Sequence, residues 1–270
     1  MGLSLGTFET ILLAEMRVGL PPLFYTRLLD INDHWGFVLK LHSFFEGTLT
    51  KLLQEKLALR PNLREGMTQR DSFVSRVHLA ERMVLMEPDY RAFLLALNRL
   101  RNDMTHNIRF IDFDLQKYVD SLSDSDFRRS ATALAAGFKN ITLDDYFAGM
   151  LAAKQDSGAA PAKQQEGSAR GIDIQLMYGL CTSFPAPQET RRHREQHTLR
   201  EFFWHFAPKF SLWYAGIWTL DLLSLKFHFE PGPTPGNFHA EADIEAKVQD
   251  LLLDPVVLEY KRKLVGLLSG

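Results

Sequence analysis

The chain has 270 residues, of which 46% are hydrophobic and 24% are charged. This composition is typical of a folded globular protein and excludes collagen-like and wholly disordered chains. The formal net charge of −2 argues against a surface covered with basic charge for non-specific binding to duplex DNA, although it leaves room for a local basic groove. The length allows one large domain or two small ones.

The cysteine content and the most apolar segments indicate whether the protein is expected to be secreted, inserted in a membrane or cytoplasmic. Cys181 has no second cysteine with which to form a disulfide, and it cannot supply a cysteine-based zinc site. Residues 1–13 are mildly apolar, but Glu9 interrupts them and no Lys or Arg precedes them, so they do not predict a secretory signal. The strongest apolar run, residues 202–229, contains three charged side chains and is not expected to span a membrane. We therefore expect a cytoplasmic protein.

Apolar side chains recur at steps of three and four along the first half of the chain, which predicts amphipathic helices. The pattern predicts one long helix over residues 30–60, which Pro61 ends, and a second helix over residues 73–86. A third helix is predicted from Pro88 to Ile108, with the proline in its first turn. Further helices are predicted over residues 124–137 and 143–154. The predicted fold class is all-α, an antiparallel helical bundle with short connections.

Residues 154–170 differ in composition from the rest of the chain. They are rich in Ser, Gly, Ala, Pro and Gln and contain no large apolar side chain. Such a segment cannot bury enough apolar surface to offset the entropy lost on ordering, so we predict a flexible linker. This linker separates a predicted helical domain, residues 1–153, from a helical C-terminal region of unassigned role, residues 171–270.

The C-terminal region is predicted to be helical on either side of a loop. One helical stretch is predicted over residues 198–229 and a final one over residues 242–268, with a Pro- and Gly-rich loop at residues 230–237. Eight aromatic side chains lie between residues 202 and 218. Their helical spacing is more typical of a buried core than of a surface that stacks nucleic-acid bases.

The peptide LNRLRNDMTHNIR, residues 97–109, places Arg101, Asn102 and His106 on one strongly apolar helix. The bare spacing Arg-x4-His is weak evidence, because it also occurs at residues 192–197 and 200–205. The first occurrence differs in that asparagine follows the arginine directly. Upstream, the peptide LKLHSFFEGTLTKLL, residues 39–53, carries His42 and Glu46 four positions apart and so on one helix face.

Together these two peptides resemble the HEPN superfamily, whose small helical bundles carry an Arg-x4-6-His motif, often with Asn directly after the Arg. The pairing of an LH-x3-E helix with a downstream RN-x3-H helix is also similar to the mannitol-repressor branch. The resemblance covers roughly residues 30–150. It does not extend to residues 171–270.

The resemblance implies a metal-independent endoribonuclease that needs no cofactor, acts on RNA as a homodimer, and serves phage defence or a toxin–antitoxin pair, with an antitoxin or regulatory protein as a possible partner. Arg101 and His106 would be catalytic, with Asn102 holding the geometry or binding the phosphate. His42 and Glu46 would support them, and Glu46 would orient Arg101. The residue types suit the chemistry, because histidine moves protons near neutral pH and arginine clamps phosphate oxygens.

Helix geometry limits what one chain can do with this motif. At about 100° per residue, positions five apart point roughly 140° apart, so an undistorted helix does not aim Arg101 and His106 at one phosphate. A kink, the reach of the arginine, or a second copy of the chain must complete the site. The alternative interpretation is a non-enzymatic regulatory or scaffold module, similar to the mannitol repressor, in which the same residues build a partner interface.

Other polar groups give weaker signals. Arg191, Arg192 and Arg194 form a basic cluster that could contact RNA, but neighbouring glutamates dilute it and a solvated helix face is the favoured interpretation. His228 and His239 lack a third ligand at metal spacing, so no metal site is predicted. The aspartates at 112 and 114, and those at 144 and 145, are more typical of helix caps than of catalytic carboxylate pairs.

Overall fold

The structure, a computed structural model, describes residues 5–58, 72–106, 112–138, 198–228 and 235–269. Throughout these residues the fold is all-α, as predicted, and it contains no strand. The helices, in chain order, are α1 (Leu5–Arg17), a 3-10 helix (Thr26–Asp30), α2 (His34–Ala58), α3 (Phe73–Arg82), α4 (Pro88–His106), α5 (Leu115–Asp120), α6 (Asp124–Leu134), α7 (Leu199–Phe206), α8 (Pro208–His228), α9 (Pro235–Leu252) and α10 (Pro255–Ser269). Among these helices, none has the combination of length and hydropathy that crossing a membrane requires.

The helices that carry the predicted site begin at local signals in the sequence. Asp33 precedes α2, and its carboxylate accepts hydrogen bonds from the backbone N–H groups of Trp35 (3.1 Å) and Gly36 (2.8 Å). Ser72 caps α3 by accepting from the backbone N–H of Ser75 at 3.2 Å. α4 begins at Pro88, where the missing N–H costs nothing. The predicted helices over 30–60, 73–86 and 88–108 are thus confirmed, with bounds that differ by a few residues.

The C-terminal region differs from the prediction at its three described prolines, Pro208, Pro235 and Pro255. The stretch 198–229 is two helices, because Ala207 leaves helical geometry and Pro208 starts α8. The stretch 242–268 is also interrupted, since α9 ends at Leu252 and α10 starts at Pro255. α9 begins at Pro235, inside the segment predicted as a loop. Each proline occupies the first position of a helix, where its fixed φ favours the helix instead of breaking it.

Three elements were not predicted, and several predictions lie outside the described residues. α1, the 3-10 helix and α5 are too short or too irregular in apolar spacing to stand out in the sequence. Asp114 caps α5 by accepting from the backbone N–H of Lys117 at 2.9 Å, which confirms its interpretation as a helix cap. The helix at 143–154, the linker at 154–170 and the basic cluster of Arg191, Arg192 and Arg194 fall outside the described ranges.

α8 is the central helix of the described fold. It packs against α1, α2, α4, α5, α6, α7 and the 3-10 helix, and residues such as Leu212, Trp213 and Leu220 are fully buried. The aromatic residues of α7 and α8 are mostly buried, which confirms their interpretation as core. Helices from both sides of residues 154–170 therefore contribute to one hydrophobic core.

Tyr25 and Gly216 fix the distance between α8 and the N-terminal helices. The Tyr25 hydroxyl donates to the carbonyl oxygen of Trp213 at 2.8 Å, and Trp213 Nε1 donates to the carbonyl oxygen of Tyr25 at 3.3 Å. A Cβ atom at position 216 would overlap the Tyr25 hydroxyl oxygen and lie 3.2 Å from the Phe45 ring. Glycine is required here because the two segments approach too closely for any side chain.

Glu15 is a fully buried carboxylate that organises the turn after α1. Its two oxygens accept hydrogen bonds from the backbone N–H groups of Leu23 (2.7 Å) and Tyr25 (2.6 Å). Leu23 has a positive φ of 66°, a conformation that a non-glycine residue adopts only when its surroundings hold it there. Burial raises the pKa of Glu15 to about 8, against the opposing effect of these hydrogen bonds and of Arg27.

The contact between Gly216 and Tyr25 predicts a coupled pair of substitutions. We expect Gly216→Ala to lower the free energy of unfolding by about 2–3 kcal/mol, because overpacking forces the segments apart. Adding Tyr25→Phe removes the oxygen that the new Cβ meets, so the double variant should recover part of that loss. A double-mutant cycle by chemical denaturation measures the coupling. Purely additive losses would contradict the proposed contact.

The burial of Glu15 predicts a pH dependence of stability. The folded state retains a proton on Glu15 up to about pH 8, whereas the unfolded chain releases it above about pH 4.5. The contribution of Glu15 to stability should therefore fall as the pH rises between these values, with a limiting slope of about 1.4 kcal/mol per pH unit. In thermal melts from pH 5 to 8, wild type should therefore lose stability relative to Glu15→Gln as the pH rises. Glu55→Gln, on the exposed face of α2, is the control that should keep the wild-type slope.

Candidate functional site

α2, α3 and α4 pack together and bring five polar side chains into one cluster. Glu46 and Thr50 of α2 both contact Arg76 of α3, whose Nη1 lies 3.3 Å from Glu46 Oε1 and 2.8 Å from Thr50 Oγ1. His42, one turn earlier on α2, lies 3.1 Å from Asn98 of α4 through its Nε2 atom. This cluster connects the two helices whose sequences resemble the HEPN motifs.

His42 is the buried centre of the cluster, with 4% of its surface exposed. Because the amide oxygen of Asn98 only accepts, the hydrogen bond places the imidazole proton on Nε2. The ring of Phe73 covers the imidazole at a centroid distance of 4.7 Å. Burial lowers the pKa of His42, and the positive charge of Arg101 lowers it further, while Asn98 and Glu46 oppose the shift. His42 is therefore a neutral, positioned side chain near pH 7.

Glu46 pairs with Arg76, whereas the sequence led us to expect that it would orient Arg101. The Arg76 side chain is largely buried, with 14% exposed, so its guanidinium is neutralised inside the cluster. Arg76 was missed by sequence reasoning, although a signal exists. It lies three positions after Phe73 on the same helix face, so it interrupts an otherwise apolar stripe. The packing of α3 against α2 places Arg76, and not Arg101, next to Glu46.

Arg101 and Asn102 are half-buried neighbours near the C-terminal end of α4. Arg101 Nη1 donates to Asn102 Oδ1 at 2.9 Å, so the structure brings these two predicted residues together. Within the described part of the chain, no carboxylate forms an ion pair with Arg101. Asn98 lies three positions before Arg101 and four before Asn102, and sequence reasoning missed it, as it missed Thr50.

His106 is the last residue of α4 and is exposed. Its position on the helix lies roughly 140° from that of Arg101. Over the described ranges, no hydrogen bond or ion pair joins His106 to Arg101, Asn102, His42 or Glu46. One chain therefore brings Arg101 and Asn102 together and leaves His106 exposed beside them, while His42 and Glu46 make their contacts with Asn98 and Arg76.

Metal ligation receives no support from the described residues, which contain no group of three His, Cys, Asp or Glu side chains that could hold an ion. His228 ends α8 and His239 lies in α9, and their side chains fall outside what the structure describes. Comparison of the chain with protein-family models, curated protein sequences and solved structures finds no match. The candidate site therefore depends on geometry and chemistry alone.

The burial of His42 predicts a loss of stability in acid. Since the pKa of His42 is lowered on folding, the unfolded chain takes up a proton below about pH 6.5 that the folded chain resists. The contribution of His42 to the free energy of unfolding should then fall as the pH falls below about 6.5, which is opposite in sign to the contribution of Glu15. Replacing His42 by Phe, which keeps a ring against Phe73, should remove this contribution, so wild type should lose stability relative to His42→Phe as the pH falls in thermal melts. The same replacement at His78, whose side chain is 44% exposed, should leave the slope as in wild type, and equal slopes for all three proteins would contradict the assignment.

Proposed function

We propose that this protein is a metal-independent endoribonuclease whose active site consists of Arg101, Asn102 and His106, completed by a second copy of the chain. The proposal places it in the cytoplasm, in phage defence or a toxin–antitoxin pair, where an antitoxin or regulatory protein would control it. The resemblance of the peptides at residues 39–53 and 97–109 to the HEPN motifs supports this proposal, and so does the hydrogen bond between Arg101 and Asn102.

The observation that carries the proposal is the contrast between Arg76 of the cluster and Arg101 of α4. Arg76 is neutralised by Glu46 and is largely buried. Arg101 is only half-buried, hydrogen bonds to the neutral amide of Asn102, and has no carboxylate partner among the described residues. A cation without a paired anion, held by a side-chain amide, is suited to bind a phosphate group.

The residue types define a balanced cleavage reaction. The imidazole of His106 takes the proton of a ribose 2′-hydroxyl, and the 2′-oxygen forms a bond to the adjacent phosphorus. The bond from phosphorus to the 5′-oxygen then breaks, and a second proton donor supplies the proton that leaves with the 5′-hydroxyl product. The other product ends in a 2′,3′-cyclic phosphate. Arg101 stabilises the charge that builds on the phosphate oxygens, and Asn102 holds the guanidinium in place.

A second copy of the chain meets a requirement that one chain does not. The divergence of Arg101 and His106 along α4 leaves them unable to reach one phosphate from a single undistorted helix. Two α4 helices that meet near their C-terminal ends would place the arginine of one copy opposite the histidine of the other. The proton that leaves with the 5′-hydroxyl would then come from water.

A non-enzymatic regulatory module is the second candidate. It is favoured by a group of exposed apolar side chains at the junction of α9 and α10, where Leu253 is 77% and Val256 is 60% exposed. An exposed apolar patch is typical of a surface that binds a protein partner. On this interpretation Arg101 and Asn102 only support the fold.

Cleavage of end-labelled RNA in EDTA tests the proposal. We expect wild type to cut and to leave 2′,3′-cyclic phosphate ends, and we expect His106→Ala to lose at least about 100-fold in rate. Arg101→Ala should lose a similar factor. His78→Ala and Arg99→Ala are matched controls, because they remove the same side-chain types from α3, where the His78 side chain is 44% exposed, and from an exposed position of α4. Full activity in His106→Ala, or activity that EDTA abolishes, would overturn the assignment.

Mixing two inactive variants tests whether the site is shared. If one copy supplies Arg101 and the other supplies His106, an equal mixture of Arg101→Ala and His106→Ala should regain about one quarter of wild-type activity. This follows because half of the dimers are mixed and each mixed dimer holds one complete site. No recovery on mixing, with both variants still dimeric, would show that each copy holds its own site.

A further inference from the structure

A cleft of about 170 Å³ lies at the opposite end of α4 from Arg101. It is bounded by the start of α4, the turn that follows α6, and the middle of α8. From Tyr90 to Arg101 the helix rises by about 17 Å, so the cleft is separate from the proposed nuclease site. Its volume is close to that of an engineered cavity of about 150 Å³ that holds benzene, so it can accept a ligand with one ring.

The cleft is open because small residues line part of it. Ala136 and Gly137 lie opposite Ala215, and a Cβ atom at position 137 would come within 2.8 Å of Trp218 Cδ1. The rings of Tyr90 and Trp218 form parts of the wall. Such a site offers flat apolar contact to a ring and attraction to a cation above an aromatic face.

Trp218 also carries a polar group that the described fold leaves unpaired. Its Nε1 atom is buried and has no hydrogen-bond acceptor. Nε1 is bonded to Cδ1, the Trp218 atom that would lie 2.8 Å from a Cβ atom on Gly137, so the unpaired N–H is close to the turn that lines the cleft. A buried donor without an acceptor costs free energy, and a ligand oxygen that reached it would recover that cost.

The charged residues at the cleft are acidic. Glu87 and Asp89 are exposed at the start of α4 and line the cleft, and no Lys, Arg or His is among its lining residues. The two carboxylates outweigh the partial positive charge of about half a unit at the N-terminus of α4, so the cleft repels phosphates and carboxylates and attracts cations. It therefore disfavours a nucleotide and favours an amine.

We propose that this cleft binds a small aromatic amine that carries a hydrogen-bond-accepting oxygen. The ring packs between Tyr90 and Trp218, the ammonium group lies toward Glu87 and Asp89, and the oxygen accepts from Trp218 Nε1. The turn at Ala136 and Gly137 moves slightly to admit the oxygen. This site is independent of the proposed ribonuclease activity and is present whether or not that activity is confirmed.

Three probe compounds, each differing by one group, test the chemistry. Tyramine contains the ring, the ammonium and a phenol oxygen. Phenethylamine lacks the oxygen, and 4-hydroxyphenylacetate carries a carboxylate in place of the amine. We expect isothermal titration to give a Kd on the order of 1 mM for tyramine, since it has about ten non-hydrogen atoms. Phenethylamine should bind roughly tenfold more weakly, and the anion should not bind measurably.

Variants of the full chain locate the site. Trp218→Phe keeps a ring but removes the N–H, so it should weaken tyramine binding to the level of phenethylamine while leaving phenethylamine binding unchanged. Ala136→Leu, at a half-buried position, fills the cleft and should abolish binding of both amines. The double change Glu87→Gln and Asp89→Asn should weaken both amines several-fold. The double change Asp243→Asn and Glu245→Gln removes the same charge from exposed positions of α9 and should have no effect.

Thermal melts of each variant confirm that it is folded before it is titrated. The proposal is overturned if folded wild type binds no tyramine at about 10 mM, or if 4-hydroxyphenylacetate binds as well as tyramine. It is also overturned if Ala136→Leu binds like wild type, because the amine then lies elsewhere. A loss in Trp218→Phe that is equal for tyramine and phenethylamine would exclude the hydrogen bond to Nε1.

Discussion

The close approach of α8 to the segment after α1 is the contact on which the described fold depends. Gly216 allows it, and the reciprocal hydrogen bonds between Tyr25 and Trp213 hold it. Phe45 of α2 packs against the same point of α8, and its ring meets that of Phe93 in α4 at a centroid distance of 5.6 Å. The rings of Phe45 and Phe93 therefore connect α8 to α2 and α4, the helices that carry most of the polar cluster.

This arrangement explains why the polar cluster can contain a buried histidine and a largely buried arginine. Each charged or polar member has a partner, since Arg76 meets Glu46 and His42 meets Asn98. Breaking one of these pairs would leave a buried polar group without compensation, which costs more than the pair contributes. The packing of α2 against α4 fixes these partners, so Arg101 and Asn102 are left at the border between the core and solvent. Their half-buried position is a consequence of the core packing around them.

The sequence predicts the helices of this site better than it predicts their contacts. The long apolar stripe of α2 and the proline at the start of α4 are local signals, and both gave bounds close to those observed. The pairing of Glu46 with Arg76 is not local, because it depends on the crossing angle of α3, which tertiary packing sets. The prolines at 208, 235 and 255 were misjudged for a related reason. A proline can end one helix or occupy the first position of the next. The local sequence does not distinguish these two roles, because they depend on the tertiary path of the chain.

The direction of α4 adds a constraint on the proposed phosphate site. A helix attracts anions at its N-terminus, where N–H groups are free, and its C-terminal carbonyl groups repel them. Arg101, Asn102 and His106 lie at the C-terminal end, so the backbone of α4 opposes the binding of a phosphate there. The attraction must then come from side chains, and within one described chain Arg101 is the cation placed to provide it. A second α4 that met the first there would bring a second set of carbonyl groups, so the side-chain charges of both copies must outweigh two helix ends. The polarity of the helix therefore opposes the proposed shared site, and the divergence of Arg101 and His106 is the feature that favours it.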